Sequence, residues 1–192
     1  MKTISSLVAI AAIAAQVSFA QDFKVGSPVA DFSLRDLDGR TVNYSALKGN
    51  VTVVVFIATQ CPVSNAYDDR MNELYKAYSG RVNFIFVNSN ATEPTDNVRD
   101  HAHRVGFVFP VYKDPNNVVA DRFGAQSTPE TYLMDSSGVM RYHGYIDDSQ
   151  NPSRVKNRGL AMAVQAVLDG KPVEKPQTRA FGCTIKRVRH AG

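Results

Sequence analysis

The sequence predicts a single α/β domain, and three observations support this fold class. Two nearly continuous apolar runs, at 51–58 and 82–87, are typical of strands that are covered on both faces of a sheet. Each run is followed by a segment of helical character, and a later pair of short strands surrounds the turn at 136–138. Strands that alternate with helices and end in a hairpin and a helix indicate one mixed sheet flanked by helices.

The predicted domain begins with a β-hairpin extension. Residues 30–34 alternate between apolar and polar side chains, as a half-buried strand does. Asp38-Gly39 is a typical turn, and a return strand begins at 41–42.

The first buried run leads directly into a predicted helix. Pro62 is tolerated at the first helical position because the N–H that proline lacks has no intrahelical partner there. Apolar residues recur at helical spacing from Val63 to Tyr78, and Gly80 is typical of a helix end. The later predicted elements are a strand at 82–87, a helix at 95–105, a strand at 109–112, a helix at 117–123, strands at 131–134 and 140–143, a helix from about Leu160 to Leu168, and an irregular tail at 171–192.

The first twenty residues have the composition of a secretory signal peptide. Lys2 is their only charge, an apolar run fills 7–15, and the small residues Ser18 and Ala20 precede the expected cleavage point. The apolar run is shorter than the ~20 residues that a membrane-spanning helix needs. We therefore expect a periplasmic or extracellular protein that does not span a membrane. Its expected parts are a signal peptide at 1–20, a domain at 21–170 and a tail at 171–192 that carries Cys183.

The formal net charge of +4 is unevenly distributed along the 192 residues. From Lys171 onward, six basic residues accompany one acid, Glu174. A basic end can contact nucleic acid, but no aromatic residues are interleaved with these charges and no nucleic-acid motif is present. We interpret the basic end as a solvated tail and expect no nucleic-acid partner.

Cys61 is the main candidate for chemistry because it lies between a buried strand and the first turn of a helix. The thiolate is the reactive form of cysteine, and a thiol with a pKa of ~8.5 is only ~3% ionised at pH 7. Unpaired backbone N–H groups and the helix dipole at such a position stabilise the thiolate. The sequence therefore predicts a reactive thiol, whereas the alternative is a buried inert cysteine.

Three stretches of the chain carry a resemblance to a known family. They are VGSPVADFSLRDLDGRTVNYSALKGNVTVVVFIATQCPVSNAYDDR, STPETYLMD and GCTIKR. Together they resemble the redoxin family of alkyl hydroperoxide reductases, thiol-specific antioxidants and peroxiredoxin-like proteins. The resemblance implies a thioredoxin-like fold in which Cys61 is the attacking cysteine. It also implies that Thr128-Pro129 is a cis-proline element packed beside that cysteine.

The departures from the family's motifs distinguish between its chemistries. A thioredoxin-type C-x-x-C site would have a second cysteine where this chain has Ser64. The peroxidase motif P-x-x-x-T-x-x-C is interrupted by Val54 and Ala58. Copper-carrying relatives have C-x-x-x-C, and Asn65 occupies the position of the second ligand. These departures favour thiol–disulfide exchange over peroxide reduction and disfavour metal transport.

Cys183 is the only other cysteine. An even number of cysteines in an exported protein predicts a disulfide, and only one intramolecular pairing exists here. The bond between Cys61 and Cys183 could be a permanent structural link or a catalytic pair in which Cys183 resolves an oxidised Cys61. We favour the catalytic interpretation, and an intermolecular bridge is a further alternative.

Several other polar residues are weaker candidates. We expect His101 and His103 on a solvated helix face and Asp147-Asp148 in an acidic loop. Arg70 and Arg122 are candidate cations for the thiolate.

The sequence thus predicts an exported thiol-dependent oxidoreductase. Its expected site consists of the catalytic pair Cys61 and Cys183 and the supporting residues Pro62, Ser64, Thr128 and Pro129. No bound cofactor or metal is required, because the expected partners are protein thiols or disulfides and a dithiol electron donor. A peroxiredoxin-like thiol peroxidase acting on peroxide is the alternative activity. A binding module with a purely structural disulfide is the alternative of another class.

Overall fold

The computed structural model describes residues 23–188, so the predicted signal peptide at 1–20 lies outside the described residues. The strands are β1 (Ser33–Arg35), β2 (Thr41–Asn43), β3 (Thr52–Ile57), β4 (Asn83–Asn88), β5 (Val111–Lys113), β6 (Ser127–Thr128), β7 (Glu130–Met134), β8 (Met140–Gly144) and β9 (Cys183–Thr184). The helices are α1 (Tyr44–Leu47), α2 (Pro62–Asn65), α3 (Asp68–Tyr78), α4 (Thr95–Val105), α5 (Val118–Phe123) and α6 (Gly159–Leu168), with 3₁₀ turns at Pro115–Asn117 and Pro152–Arg154.

Seven strands form one mixed sheet in the order β2-β1-β5-β4-β3-β7-β8. The central strand β3 pairs parallel with β4 and antiparallel with β7. The predicted N-terminal hairpin joins this sheet because β1 pairs with β5. This arrangement, with helices packed on the sheet, confirms the predicted thioredoxin-like α/β fold.

The side chains of β3 point alternately into two apolar clusters. Val54 and Phe56 belong to one cluster, which also contains residues of α5 and the N-terminal segment. Val53, Val55 and Ile57 belong to the other, which contains residues of α3, α4 and α6. Every residue of β3 is buried, which explains why its sequence is continuously apolar apart from Thr52. The end of this strand is therefore a rigid support for the residues that follow it.

The predicted helix after Cys61 is interrupted, contrary to the sequence expectation. Helix α2 ends at Asn65, and α3 begins at Asp68 after Ala66 and Tyr67. The Tyr67 side chain is buried, and its hydroxyl donates to the Asp147 carboxylate at 2.9 Å. We attribute the interruption to this tertiary contact, because it holds Tyr67 against another part of the chain.

The expectation of an irregular tail is wrong in part, since residues 183–184 form β9. This strand pairs antiparallel with β6 in a separate two-stranded sheet. Further upstream, the Thr178 N–H donates to the carbonyl of His143 at 3.0 Å, next to the end of β8. The tail is therefore attached to β8 and to β6, and beyond β9 the Lys186 carbonyl also accepts from the Ala91 N–H at 2.9 Å.

Candidate active site

Cys61 occupies the position that the sequence predicts, at the N-terminal cap of α2. The residue is buried, and its Sγ accepts a hydrogen bond from the backbone N–H of Ser64 at 3.3 Å. Because α2 has only four residues, stabilisation of a thiolate depends more on this local N–H than on a long helix dipole. Pro62 occupies the first helical position and so leaves no N–H unpaired there.

The hydroxyl of Ser64 contacts the chain at the end of β3 and does not contact the Cys61 sulfur. The Ser64 Oγ accepts a hydrogen bond from the backbone N–H of Ala58 at 3.1 Å. The Asn65 side chain donates to the carbonyl of Thr59 at 3.1 Å. Both side chains thus connect α2 to the loop that precedes Cys61, and neither provides a second thiol or a metal ligand beside it.

The Thr128-Pro129 peptide bond is cis, as the family resemblance implies. The Cys61 Sγ lies 3.5 Å from the carbonyl oxygen of Thr128. The cis-proline segment therefore packs against the sulfur, and it presents the short strand β6 beside it.

Cys61 and Cys183 form a disulfide with a Cα–Cα distance of 5.8 Å. In the pairing of β6 with β9, Cys183 lies opposite Thr128 and Thr184 lies opposite Ser127. The Thr128 hydroxyl is 3.5 Å from the carbonyl of Cys183. The structure thus brings together the two cysteines and the four supporting residues that the sequence predicts.

A buried carboxylate that sequence reasoning missed holds the loop before Cys61. Glu93 accepts hydrogen bonds from the Thr59 N–H at 2.8 Å, the Thr59 hydroxyl at 2.9 Å and the Gln60 N–H at 3.1 Å. Asn88, at the end of β4, donates to the same carboxylate at 2.5 Å. Charge-assisted bonds of this kind are stronger than neutral ones, so Glu93 is a positioning residue for the loop. Its only sequence signal is its place after a buried strand.

Lys113 completes the network around Glu93. Its ammonium donates to the Asn88 side-chain oxygen at 2.6 Å and to the backbone carbonyl of Glu93 at 2.7 Å. Burial lowers the pKa of Lys113 to about 8, although the negative charge of Glu93 acts in the opposite direction. The network combines one buried anion and one cation under the active-site loop.

A second buried carboxylate stabilises the cis-proline segment. Glu130 accepts from the backbone N–H groups of Gln126 and Ser127, each at 2.9 Å, and contacts His143 Nε2 at 2.6 Å. Burial acts to raise the pKa of Glu130, but the hydrogen bonds from His143 and the backbone hold this pKa below its usual value. An ionised Glu130 therefore holds β6 in place next to the disulfide.

Neither candidate arginine contacts the cysteine sulfur. Arg70 forms a buried ion pair with Asp147 at 2.7 Å, and Asp147 lies in the loop after β8, as expected, but is buried there. Arg122 donates to the carbonyl of Asp31 at 2.9 Å and lies over the ring of Phe23. Both guanidinium groups are used in stabilising other parts of the fold.

The histidine expectation holds for only one residue. His103 is exposed on α4, as expected. His101 is instead buried, with its Nε2 3.1 Å from the Asp68 carboxylate. Burial raises the pKa of Asp68 to about 7, and burial lowers the pKa of His101. The correction follows from α4 packing on α3, which the polar sequence of α4 does not reveal.

Within residues 23–188, no group of three or more His, Cys, Asp or Glu side chains could hold a metal ion. In the same part of the chain, no helix combines the length and the apolar character that crossing a membrane requires.

The fold and site define a thioredoxin-fold protein with a cysteine pair beside a cis-proline. The AhpC/TSA family profile matches residues 25–143. Thiol-disulfide oxidoreductase ResA of Geobacillus thermodenitrificans is 34% identical over 118 residues, which are 61% of this chain and 67% of that protein. Thiol:disulfide interchange protein DsbE of Vibrio cholerae is 29% identical over 122 residues, which are 62% of this chain and 63% of that protein.

A solved structure of an uncharacterized conserved protein from Geobacillus kaustophilus superposes with a TM-score of 0.81. It is 30% identical, and the match covers 88% of this chain and 95% of that one. The chain therefore belongs to the AhpC/TSA family, and it is a redoxin enzyme of the thiol-disulfide oxidoreductase type with one cysteine pair.

Proposed function

We propose that this protein is an exported thiol–disulfide oxidoreductase in which Cys61 is the nucleophile and Cys183 is the resolving thiol. The observation that supports the proposal most directly is the disulfide between a cysteine at a strand end and a cysteine on a separately attached tail. Export rests on the composition of residues 1–20, which we assign as a signal peptide. Residues 21–170 form the catalytic domain in this proposal, and 171–192 form the tail.

The reaction consists of two successive thiolate attacks. The Cys61 thiolate attacks one sulfur of a substrate disulfide, forms a mixed disulfide and releases the other substrate sulfur as a thiolate. The Cys183 thiolate then attacks the Cys61 sulfur and releases the second substrate thiol. The substrate has gained two electrons and the enzyme has become the observed Cys61–Cys183 disulfide. A partner dithiol returns two electrons to the enzyme by the reverse sequence.

The residues around Cys61 support exchange better than peroxide reduction. A peroxidase of the family uses a threonine hydroxyl at the position of Ala58, and Ala58 has only a backbone N–H, which is bound to Ser64. Val54, at the motif's proline position, is buried in the core. Losing one such hydroxyl donor typically costs about 10²–10³ in rate.

The reduction potential of the cysteine pair tests the proposal. Exchange proteins have potentials of roughly −120 to −270 mV, whereas structural disulfides lie below about −300 mV. We expect a value in the first range, measured by equilibration with glutathione or dithiothreitol and quantified by thiol alkylation. We also expect the Cys183→Ser variant to accumulate mixed disulfides with protein substrates, whereas Cys61→Ser should form none. A potential below −300 mV without mixed disulfides would assign the pair as a structural link.

A further inference from the structure

The tail crosses the site as an extended strand that binds mainly through its backbone. Cys183 and Thr184 pair with β6, and the Ile185 N–H donates to the carbonyl of Gln126 at 3.0 Å. Backbone pairing with a strand edge does not depend on which side chains the added strand carries. The edge of β6 can therefore accept another extended chain in place of the tail.

Two positions of the tail do depend on residue type. Gly182 has a φ of 151°, and a Cβ at this position would lie 1.9 Å from the carbonyl oxygen of Thr128. A chain that follows this path therefore needs glycine immediately before the cysteine. No other residue has room there unless the backbone shifts.

The second tail position that depends on residue type is Ile185, two residues after Cys183. Ile185 is buried, and it belongs to the same apolar cluster as Phe123, Ala125 and Tyr132. Thr184, between Cys183 and Ile185, is exposed. Side chains alternate between the two faces of a strand, so Cys183 and Ile185 share the face that is directed toward the domain. The domain thus buries the large aliphatic side chain of Ile185 and leaves Thr184 exposed.

We propose that residues 182–185 occupy the place of the substrate, and that the substrate is an extended protein segment with the pattern Gly-Cys-x-aliphatic. This inference rests on the proposed exchange function and specifies its substrate class. In the mixed disulfide, the substrate cysteine bonds to Cys61 while the flanking residues pair with β6. The tail and the substrate are therefore competitors for one strand edge.

The competition explains how the substrate leaves. When the Cys183 thiolate attacks the Cys61 sulfur, the tail regains its pairing with β6 and the substrate loses both its disulfide and its strand edge. The released group is the substrate thiolate, and the two electrons remain with the substrate. Resolution and substrate expulsion are thus one displacement.

The attachment of the tail on β8 allows this displacement. Thr178 is held by the carbonyl of His143, and its hydroxyl contacts the Tyr142 hydroxyl at 2.7 Å. Beyond the site, the Lys186 carbonyl accepts from the Ala91 N–H at 2.9 Å, and the Val188 N–H donates to the Asn117 side chain at 2.8 Å. Displacement of the tail from β6 therefore has to break these non-covalent contacts, while residues up to Thr178 stay attached.

The experiment uses synthetic peptides that are activated as mixed disulfides with thionitrobenzoate. The reference peptide, Phe-Gly-Cys-Thr-Ile-Lys, copies residues 181–186. One comparison peptide has alanine for glycine, and the other has serine for isoleucine. Release of thionitrobenzoate by the reduced Cys183→Ser protein measures attack by Cys61, and the same peptides reacting with glutathione give their intrinsic reactivity.

We expect the reference peptide to react at least about tenfold faster than either comparison peptide after this correction, because each change removes a steric fit or the burial of an aliphatic side chain. Combining Ile185→Ser with Cys183→Ser should speed the reaction further, since the tail then competes less well. Equal corrected rates for the three peptides would overturn the substrate pattern while Cys61 remains reactive. Slow reaction with all three, at the rate of an ordinary thiol, would instead contradict the proposed exchange function.

Discussion

Cys61 lies between the end of β3 and the start of α2 and is 2% exposed, whereas Cys183 lies in a two-residue strand near the C-terminal end of the described chain. The surroundings of Cys61 are supported by the buried Glu93 network and by the core strand β3. Cys183 is held by backbone pairing with β6, by the disulfide, and by hydrogen bonds of Lys186 and Val188 farther along the tail. We therefore expect the two sulfurs of one bond to differ in their freedom to move once the bond is broken.

This difference agrees with the division of roles that we propose for the cysteines. A nucleophile benefits from a fixed position and a preorganised N–H donor, which Cys61 has. A resolving thiol must approach and withdraw, and the backbone pairing of Cys183 with a short strand permits this. A tail that remained in place in the reduced protein would contradict this division of roles.

The largest expected effect separates the two cysteines directly. Cys61→Ser should reduce the single-turnover reaction with a disulfide substrate by about 10³-fold or more, because the remaining thiol, Cys183, lacks the N–H donor that Ser64 supplies to the Cys61 sulfur. Cys183→Ser should retain this first step and lose multiple turnover. Thionitrobenzoate release followed by mass spectrometry of the trapped adduct measures both. Equal loss of the first step in the two variants would contradict the assignment of the nucleophile.

Limited proteolysis with trypsin tests the mobility of the tail. Trypsin does not cut before proline, so Lys171-Pro172 and Lys175-Pro176 are resistant and Arg179 is the first susceptible site of the tail. We expect cleavage at Arg179 to become about tenfold faster or more on reduction, because breaking the disulfide allows the segment to open. The Cys183→Ser protein, which cannot form the bond, should be cut at one rate with or without reductant. Resistance of the reduced protein would show that non-covalent contacts alone hold the tail.

Glu93→Gln tests whether the buried Glu93 carboxylate stabilises the loop before Cys61. The amide would donate where the carboxylate now accepts from Thr59 and Gln60, so we expect the free energy of unfolding to fall by about 1–3 kcal/mol. Urea denaturation of the oxidised protein measures the change. Glu73→Gln, at an exposed position of α3, is the matched control and should change it by less than about 0.5 kcal/mol. Equal changes in the free energy of unfolding for the two variants would contradict a role of Glu93 in stabilising the loop.

Gly182→Ala tests how closely the tail packs against the Thr128 carbonyl. A methyl group there meets the Thr128 carbonyl, so the disulfide form becomes less stable relative to the dithiol. We expect the reduction potential to become about 30 mV more positive or higher, which corresponds to a tenfold change in the equilibrium constant. Gly170→Ala, at another positive φ but in open space, should leave the potential unchanged. A shift of the same size in both variants would indicate a general loss of stability.

The smallest expected effect is a dependence of stability on pH through Lys113. Its pKa is about 8 in the folded protein, against an ordinary value of 10.5. Between these values the unfolded chain binds more protons, so the free energy of unfolding should rise with pH in this window. We expect a rise of about 1 kcal/mol after allowance for solvent screening.

Urea denaturation of the oxidised protein at pH 7.5 and 9.5 measures this rise. Lys113→Met should flatten the slope, whereas Lys76→Met, at an exposed position of α3, should not. An unchanged slope in Lys113→Met would assign the pH dependence to other groups.

Much of the fold is predictable because it follows from local patterns. The apolar run of β3 predicts a central strand, and the helix at Thr95–Val105 has the predicted bounds, with Gly106 as its left-handed cap. The place of Cys61 at a strand–helix junction is predictable for the same reason. With only two cysteines, the sequence also limits the intramolecular disulfide to one pair.

The contacts that complete the site were decided only by the tertiary structure. Glu93 reaches a loop 34 residues earlier in the chain, and Arg70 pairs with Asp147 across 77 residues. The sequence positions of such polar side chains show no periodicity that would predict a buried partner. Their burial depends on which elements the fold brings together. The strand β9 could not be predicted for a related reason. It is held by backbone pairing with β6, which depends little on residue type. Local sequence thus determined the elements and the place of Cys61 at a strand–helix junction, and long-range packing determined what surrounds them.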